Sequence, residues 1–493
     1  MRFVHTILTI AVTLVVLGCN RESNREYPLD IESSVVCTFD EQVIDIRYAI
    51  YEAVEGDISI SATSDASWIT SIDTTTPSII KVGVAHNDGD NRTATITIKA
   101  TGHATALVEV MQFSAPPAVA THTLMYFFFG TSLGRYFNTN IDDAKSAIES
   151  GILGNSNRVV YFRQRSAHEA YIGELSYDIT SGQCIDRVIT DDITLSGPQL
   201  LPEDMGGYIA QMAASAPAER YGIIFAGHGQ GWITREILEG GDSFSTLSTG
   251  SNVWIPASGA DVTRAFGENN VRVDITEMAE GIEHSGIELD YILFDACFMS
   301  NIESIYELRD KANYIIASPC EIMGKGFPYH RTLPYLFADY GKSTDYKGAA
   351  ESYYIFYRDE YSGNSRCGSV AVYDCREIDA LAEATADVVA TAKGDYDITT
   401  LQTYEGQSIH QFYDFGQWAN VVATDAEAIA AFNAQLDRCV IAKYTLPTFY
   451  SAYGTYGTYD IDVDVYSGVT TSAPSEAYPA QWQETNWYKA VWE

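Results

Sequence analysis

The sequence is poor in basic residues and has no apolar run of transmembrane length. Lys and Arg number 30 against 66 Asp and Glu, which gives a formal net charge of −36. A surface this acidic repels nucleic acid and anionic lipid, which argues against a DNA- or RNA-binding protein. It would attract cationic ligands, although solubility is the favoured reason for the charge. Hydrophobic residues still make up 46% of the 493 positions, so wholesale disorder is excluded and two or more domains are expected.

The eight cysteines show no Cys-x-x-Cys pair or other metal-type spacing, which argues against a zinc site. Cys367 and Cys375 bracket an apolar run that predicts a strand. The length of such a strand keeps the two thiols too far apart to bond to each other. An exported protein could form disulfides with other pairings, which the sequence leaves open.

The amino-terminal residues predict export. The apolar run at residues 7–17 is shorter than the about 20 residues of a spanning helix and is typical of a secretory signal. It ends in Gly18-Cys19, which resembles a bacterial lipobox. We therefore predict a lipoprotein signal peptide at 1–18 and a lipidated tether at 19–30, with an ordinary signal peptide as the alternative. Acyl chains on Cys19 would anchor the protein to the bacterial outer membrane, on its periplasmic or cell-surface face.

Residues 31–114 alternate polar and apolar positions in short runs, such as 79–84, which predicts a small all-β, Ig-like sandwich. Trp68, Arg92 and the run 108–112 resemble the BACON domain of exported Bacteroidetes proteins. The resemblance implies either contact with glycans or mucin or a spacer role. Trp68 could stack on a sugar, but a tryptophan of the core is the favoured interpretation.

A Pro- and Ala-rich linker at 115–121 leads into the remaining residues, 122–493. There, continuous apolar runs alternate with segments of helical pattern, which predicts an α/β fold. Runs such as 123–129 and 289–294 should be strands buried on both faces of a mostly parallel sheet flanked by helices.

Two of the predicted strands lead directly into residues that can carry chemistry. The run 221–226 is followed by Gly227-His228-Gly229, and the run 289–294 by Asp295-Ala296-Cys297. Because parallel strands present their carboxyl ends at one edge of a sheet, a base and a nucleophile can meet there. A helix predicted from Phe298 onward would favour the thiolate of Cys297. Cys320, which also follows a strand, is the competing nucleophile.

The surroundings of both residues resemble the clostripain family of cysteine peptidases. Residues 224–232 are similar to that family's histidine loop and residues 292–299 to its nucleophile segment, and weaker matches extend the resemblance over about 120–493. The resemblance implies a caspase-like fold and a cysteine endopeptidase that acts through a thioester acyl-enzyme. Cys297 would be the nucleophile and His228 the general base, and the backbone N–H groups of Gly229 and Cys297 would form the oxyanion hole.

The same resemblance implies cleavage after Arg or Lys, with Asp295 at the floor of the specificity pocket. A helix cap or another structural hydrogen-bonding role is the alternative for Asp295. Where the family has a charged turn lining this pocket, the sequence has Thr131 and Ser132, which can bind substrate through hydrogen bonds but carry no charge.

Related peptidases are activated by cutting themselves between the histidine and cysteine segments. If this chain does the same, Arg235 is the first candidate for the cleavage site, ahead of Arg264 and Arg272. The alternative is that the segment is an uncut lid or an incidental surface insertion. No cofactor is required by this chemistry. Three carboxylates within residues 460–464 could hold Ca²⁺, although a solvated strand face is the favoured interpretation.

Two other functions stay open at this point. One is a cell-surface glycan- or protein-binding lipoprotein whose peptidase-like domain is inactive, and the presence of His228, Cys297 and Asp295 argues against it. The other is a glycosidase, and the Cys/His site and the lack of a β/α-barrel repeat argue against that.

Overall fold

The computed structural model describes residues 29–50, 58–89, 91–114, 118–154, 156–178, 181–197, 199–239, 273–337, 344–363, 366–407, 409–453, 461–473 and 475–493. The chain divides into two compact units, residues 1–115 and 116–493. The predicted signal peptide and Cys19 lie outside the described residues. No helix in the described part of the chain is both long and apolar enough to cross a bilayer.

The first unit is built from eight strands in two sheets: β1 (Asp30–Ile31), β2 (Ser34–Cys37), β3 (Gln42–Ala49), β4 (Ile60–Ser64), β5 (Ile69–Asp73), β6 (Ile79–Val84), β7 (Arg92–Ala100) and β8 (Ala106–Gln112). The sheet orders are β1-β3-β6-β5 and β2-β8-β7-β4. Within β7 every second side chain, from Ala94 to Ala100, is buried, as the alternation predicts. Ile80 of one sheet and Ile96 of the other belong to a single core, which confirms the predicted all-β sandwich.

Trp68 is neither fully buried nor open to solvent. Its ring packs against the core from a half-buried position. The Arg92 guanidinium lies over the ring, 4.6 Å from its centre, and is held there by the side chain of Gln112 at 2.7 Å. Trp68 therefore packs against the core, as the favoured interpretation expects, but is not fully buried in it.

The second unit contains the remaining strands: β9 (Ala120–Phe128), β10 (Asn157–Gln164), β11 (Glu169–Asp178), β12 (Gln183–Thr194), β13 (Ala218–Ala226), β14 (Leu289–Asp295), β15 (Ala312–Ala317), β16 (Val370–Asp374), β17 (Tyr413–Asp414), β18 (Val440–Tyr444), β19 (Thr448–Phe449), β20 (Ile461–Asp462) and β21 (Thr470–Thr471). Nine of them form one sheet in the order β12-β11-β10-β9-β13-β14-β15-β16-β18. The five central strands from β10 to β15 run parallel, and the outer strands pair antiparallel.

The described helices of this unit are α1 (Gly134–Glu149), α2 (Pro202–Ser215), α3 (Arg235–Glu239), α4 (Ile275–Ser285), α5 (Ile302–Glu307), α6 (Tyr329–Leu336), α7 (Tyr346–Glu360), α8 (Ile378–Ala390), α9 (Phe415–Val422), α10 (Ala426–Cys439), α11 (Pro479–Gln483) and α12 (Asn486–Trp492). Short 3₁₀ turns lie at Cys375–Glu377 and Ile398–Thr400.

Strand β14 shows why the central runs are continuously apolar. On one face, Tyr291 packs edge-to-face on Tyr346 of α7. On the other face, Phe294 lines a small cavity together with Met278 of α4. Because both faces are covered by helices, nearly every residue of the strand is buried. The predicted α/β fold, with a mostly parallel sheet flanked by helices, is confirmed.

Candidate active site

Strands β13 and β14 are neighbours, and Ala226 at the end of one pairs with Asp295 at the end of the other. The histidine loop, residues 227–234, and the nucleophile loop, residues 296–301, therefore leave the sheet side by side. The histidine loop carries His228 and the nucleophile loop carries Cys297, the two predicted catalytic residues. The register of the sheet thus brings the ends of the two strands together, as the sequence predicts.

Glycines let the histidine loop touch the nucleophile loop. A Cβ atom added to Gly229 would lie 2.1 Å from the carbonyl oxygen and 2.8 Å from the nitrogen of Cys297. One added to Gly231, whose φ is +61°, would lie 2.6 Å from the side-chain nitrogen of Asn301. No side chain fits at either position without moving the nucleophile loop, so glycine is required for this contact.

The nucleophile loop turns sharply after Cys297. Phe298 has a φ of +59°, a left-handed conformation that is uncommon for a bulky residue. Helix α5 begins only at Ile302, where Asn301 caps it by accepting a hydrogen bond from Ser304 N at 3.0 Å. The prediction of a helix from Phe298 onward is wrong, because α5 begins only at Ile302.

Cys297 is fully buried, and its sulfur contacts the backbone of a neighbouring segment. The Sγ atom accepts a hydrogen bond from Ile322 N at 2.9 Å and lies 3.5 Å from Ile322 O. The segment that contains Ile322 also holds the turn at Phe298, because Phe298 N donates a hydrogen bond to Cys320 O at 3.2 Å. The residues that follow β15 thus support the nucleophile.

His228 contacts the turn that follows β9. Its Nε2 atom lies 2.8 Å from Oγ of Ser132. Ser132 was predicted to bind substrate together with Thr131, whose carbonyl oxygen accepts a hydrogen bond from Gly134 N at 3.0 Å. The structure thus gives Ser132 a partner on the histidine loop that the sequence did not indicate.

Asp295 ties the end of β14 to the start of α6. Its side chain is completely buried. One carboxylate oxygen accepts a hydrogen bond from Phe327 N at 3.2 Å and the other from the Tyr329 hydroxyl at 2.7 Å. These contacts agree with the structural alternative for Asp295, and they place a carboxyl group beside the nucleophile loop.

A segment near the carboxyl terminus supports both loops. The Trp232 indole N–H donates to Oγ of Ser472 at 2.8 Å, and Ser472 N donates to a carboxylate oxygen of Glu303 at 2.9 Å. Thr470 N donates to Ser300 O at 2.9 Å. Burial raises the pKa of Glu303 above its usual range, although its hydrogen bonds act in the opposite direction. Ser472 and Glu303 could not be predicted from the sequence, since nothing in their local pattern points to the site.

Comparison with known proteins decides the family. Residues 131–445 match the sequence profile of the clostripain family of peptidases. The chain belongs to the clostripain family. Residues 58–113 match the profile of the BACON domain, described as a putative N-terminal binding domain. No curated protein matches the chain.

Solved clostripain-type structures share the fold. A secreted cysteine protease of Bacteroides thetaiotaomicron, iotapain, is 28% identical with a TM-score of 0.65, covering 76% of this chain and 100% of its own. An inactive zymogen from Parabacteroides distasonis is 26% identical with a TM-score of 0.62, covering 76% of this chain and 99% of its own. The chain is therefore a cysteine peptidase, and the predicted family and enzyme class are confirmed.

Two predicted residues of this clostripain-family member have other surroundings than expected. Cys320, the competing nucleophile, is buried beside the hydroxyl of Ser318 at 3.6 Å. Arg235 lies at the start of α3, where its guanidinium pairs with Glu277 at 2.6 Å. Self-cleavage after Arg235 would require this short helix to open. The other two arginines considered, Arg264 and Arg272, lie outside the described residues.

The carboxylates considered for Ca²⁺ do not form a site in the described part of the chain. Asp460 lies outside it, and Asp462 and Asp464 are exposed. No group of three or more His, Cys, Asp or Glu among the described residues could hold a metal ion. The exposure of Asp462 and Asp464 agrees with the favoured interpretation, a solvated strand face.

Proposed function

We propose that this cysteine peptidase is an endopeptidase that cleaves after Arg or Lys, with Cys297 as nucleophile and His228 as general base. The observation that carries the proposal is the close packing of Gly229 on the backbone of Cys297, where neighbouring parallel strands end. This packing brings the loop of the base and the loop of the thiol together at one edge of the sheet, which supports their acting as a pair in covalent catalysis.

In the proposed reaction, the sulfur of Cys297 attacks the carbonyl carbon of the scissile bond. His228 accepts the thiol proton and delivers it to the leaving amine, and water then hydrolyses the thioester. The N–H groups of Gly229 and Cys297 would stabilise the oxyanion, each by about 3 kcal/mol. Support for this pairing comes from the contact between the two backbones.

Selectivity for basic residues would come from Asp295, with Thr131 bordering the same pocket. A buried carboxylate pairs with a guanidinium through two parallel hydrogen bonds, which favours Arg over Lys. The net charge of −36 adds a long-range attraction for basic polypeptides.

The catalytic roles are tested by hydrolysis of short reporter amides that end in Arg, Lys or Ala. We expect Cys297→Ala and His228→Ala each to lower turnover by several orders of magnitude, because the two residues act as a unit. Cys320→Ala is the matched control and should remain active. Substantial turnover in Cys297→Ala, or loss of turnover only in Cys320→Ala, would refute the assignment, and an inactive wild type would favour a binding protein with a peptidase fold.

Export and anchoring rest on the apolar run that ends at Cys19. A related protease, iotapain, is described as secreted. Cys19→Ser should move the protein from the detergent phase to the aqueous phase or leave an unprocessed precursor. Detergent partitioning that the substitution leaves unchanged would exclude acylation at Cys19.

The BACON unit would contact glycans or mucin, or act as a spacer. The observation that supports binding is that the Trp68 side chain is only half-buried. Mucin binding can be measured with the full chain carrying Cys297→Ala, with and without Trp68→Ala. Binding that depends on Trp68 supports contact, whereas no binding by either protein leaves the spacer role.

Maturation would follow from cleavage between the two loops, with Arg235 as the first candidate. A related protease was solved as an inactive zymogen. New amino termini should appear when the purified wild type is incubated and should be absent from Cys297→Ala. Full activity in a chain that remains intact would remove self-processing from the proposal.

A further inference from the structure

Ser132 lies next to the catalytic histidine. Its Oγ atom is 2.8 Å from Nε2 of His228, although the two residues are almost a hundred positions apart in the sequence. The contact follows from the sheet, in which β9 and β13 are parallel neighbours and Phe128 pairs with Ala226. The turns that follow these strands leave the sheet at the same edge, so the hydroxyl and the imidazole meet there.

The turn that carries Ser132 is held in place without the help of its hydroxyl. Phe129 N donates to Ala226 O at 3.2 Å, and Gly130 N donates to the side-chain oxygen of Gln164 at 2.9 Å. The Phe129 ring fills the space beside Gly227, where a Cβ atom would lie 2.6 Å from the ring. The residues just before Ser132 are therefore anchored to the sheet and to the histidine loop, which places the Ser132 hydroxyl beside His228.

The geometry has a chemical consequence for the imidazole. When Nε2 carries the proton and donates to the Ser132 hydroxyl, the lone pair is on Nδ1. We propose that Ser132 is a positioning residue that accepts a hydrogen bond from Nε2 of His228, selects the tautomer in which Nδ1 is the base, and stabilises the imidazolium that forms when Nδ1 takes the Cys297 proton. This inference rests on the proposed Cys297–His228 pair.

A positioning role differs measurably from a role in the substrate pocket. Orientation of the base affects the chemical step for every substrate, so kcat should fall by the same factor for Arg-, Lys- and Ala-ending reporters. A pocket residue affects mainly the ratio between Arg and Ala reporters and the KM for Arg.

The first experiment compares Ser132→Ala, Ser132→Thr and wild type with the three reporters. We expect Ser132→Ala to lower kcat about tenfold for all three, with KM nearly unchanged, as loss of one hydrogen bond to the base predicts. Ser132→Thr keeps the hydroxyl and should recover most of the activity. Ser146→Ala is the matched control, because Ser146 is an exposed serine on the helix α1 whose hydroxyl bonds only to the Asp142 carbonyl among the contacts described.

The second experiment measures the pKa of His228 by NMR titration in the Cys297→Ala protein, where no thiolate interferes. The hydroxyl stabilises the charged imidazole more than the neutral one. Ser132→Ala should therefore lower the pKa of His228 by about half a unit to one unit, and Ser132→Thr should restore it.

The outcomes separate this inference from the proposed function. A changed Arg-to-Ala ratio with an unmoved His228 pKa would overturn the positioning role and make Ser132 a pocket residue. Unchanged kcat and pKa in Ser132→Ala would also overturn it. Activity that persists in Cys297→Ala or His228→Ala would instead defeat the proposed pair, whatever the titration shows.

Discussion

The histidine loop and the nucleophile loop lie side by side but are held in different ways. The nucleophile loop is fixed by backbone hydrogen bonds of 2.9–3.2 Å, from Phe298 N to Cys320 O, from Ser300 N to Ser318 O and from Thr470 N to Ser300 O. In the histidine loop, Gly227 N bonds to Asp295 O at the longer distance of 3.4 Å.

The histidine loop is held by side-chain hydrogen bonds and by glycines that allow close packing, whereas the nucleophile loop is held by backbone hydrogen bonds. Gly229 and Gly231 allow its close approach, and Ser132 and Ser472 hold His228 and Trp232 from distant parts of the chain. The comparison teaches that substitutions should disturb the position of the base more readily than the position of the nucleophile.

The largest expected effect concerns Asp295, which sits where β14 enters the nucleophile loop. If its carboxylate pairs with a substrate guanidinium, Asp295→Asn should lower cleavage after Arg by about 2–5 kcal/mol in transition-state terms, with a much smaller effect on an Ala reporter. The ratio of kcat/KM values for the two reporters measures this.

Tyr329→Phe is the control for Asp295, because it removes the hydroxyl that donates to the carboxylate at 2.7 Å and leaves the charge. It should keep the preference for Arg. An unchanged Arg-to-Ala ratio in Asp295→Asn, with both variants losing thermal stability alike, would show that Asp295 only ties β14 to α6.

The next effect tests the contact between the loops. In Gly229→Ala the new Cβ would clash with the Cys297 backbone at 2.1 Å, so the loops must separate. A displacement of about 1 Å should lower kcat about a hundredfold or more. Gly207→Ala in α2 is the matched control, because its Cβ would meet no atom within 4 Å. Equal activities of the two variants would contradict a tight contact.

The smallest effect concerns the support of the histidine loop from the carboxyl-terminal segment. Trp232→Phe and Ser472→Ala each remove the 2.8 Å hydrogen bond between indole and hydroxyl and should lower kcat about tenfold. The double variant should be little worse than either single one, because the same bond is lost.

Ser475→Ala is the control for that pair, since its hydroxyl donates to the side-chain oxygen of Gln411 at 2.9 Å and, among the contacts described, bonds to neither loop. It should reduce thermal stability without a comparable loss of kcat. Additive losses in the Trp232→Phe, Ser472→Ala double variant would mean that the segment does not act through this bond.

Much of the fold followed from local patterns. Burial on both faces makes residues 124–128 of β9 and 291–294 of β14 continuously apolar, and burial on one face makes β7 alternate. Each strand type can therefore be predicted from its own residues. The helix expected from Phe298 was wrong, because the left-handed turn at Phe298 delays α5 to Ile302 and leaves no local signal.

The sequence by itself determined the two architectures, a β-sandwich and an α/β unit, and the residues at which the strands end. Both follow from local sequence, because periodicity and strand-end position are properties of neighbouring residues. Only the tertiary structure decided what each site residue touches: Ser132 at His228, Ser472 at Trp232, Tyr329 at Asp295 and Ile322 at Cys297. Each of these contacts joins residues that are far apart in the chain and meet through sheet order and loop packing, which no local pattern encodes.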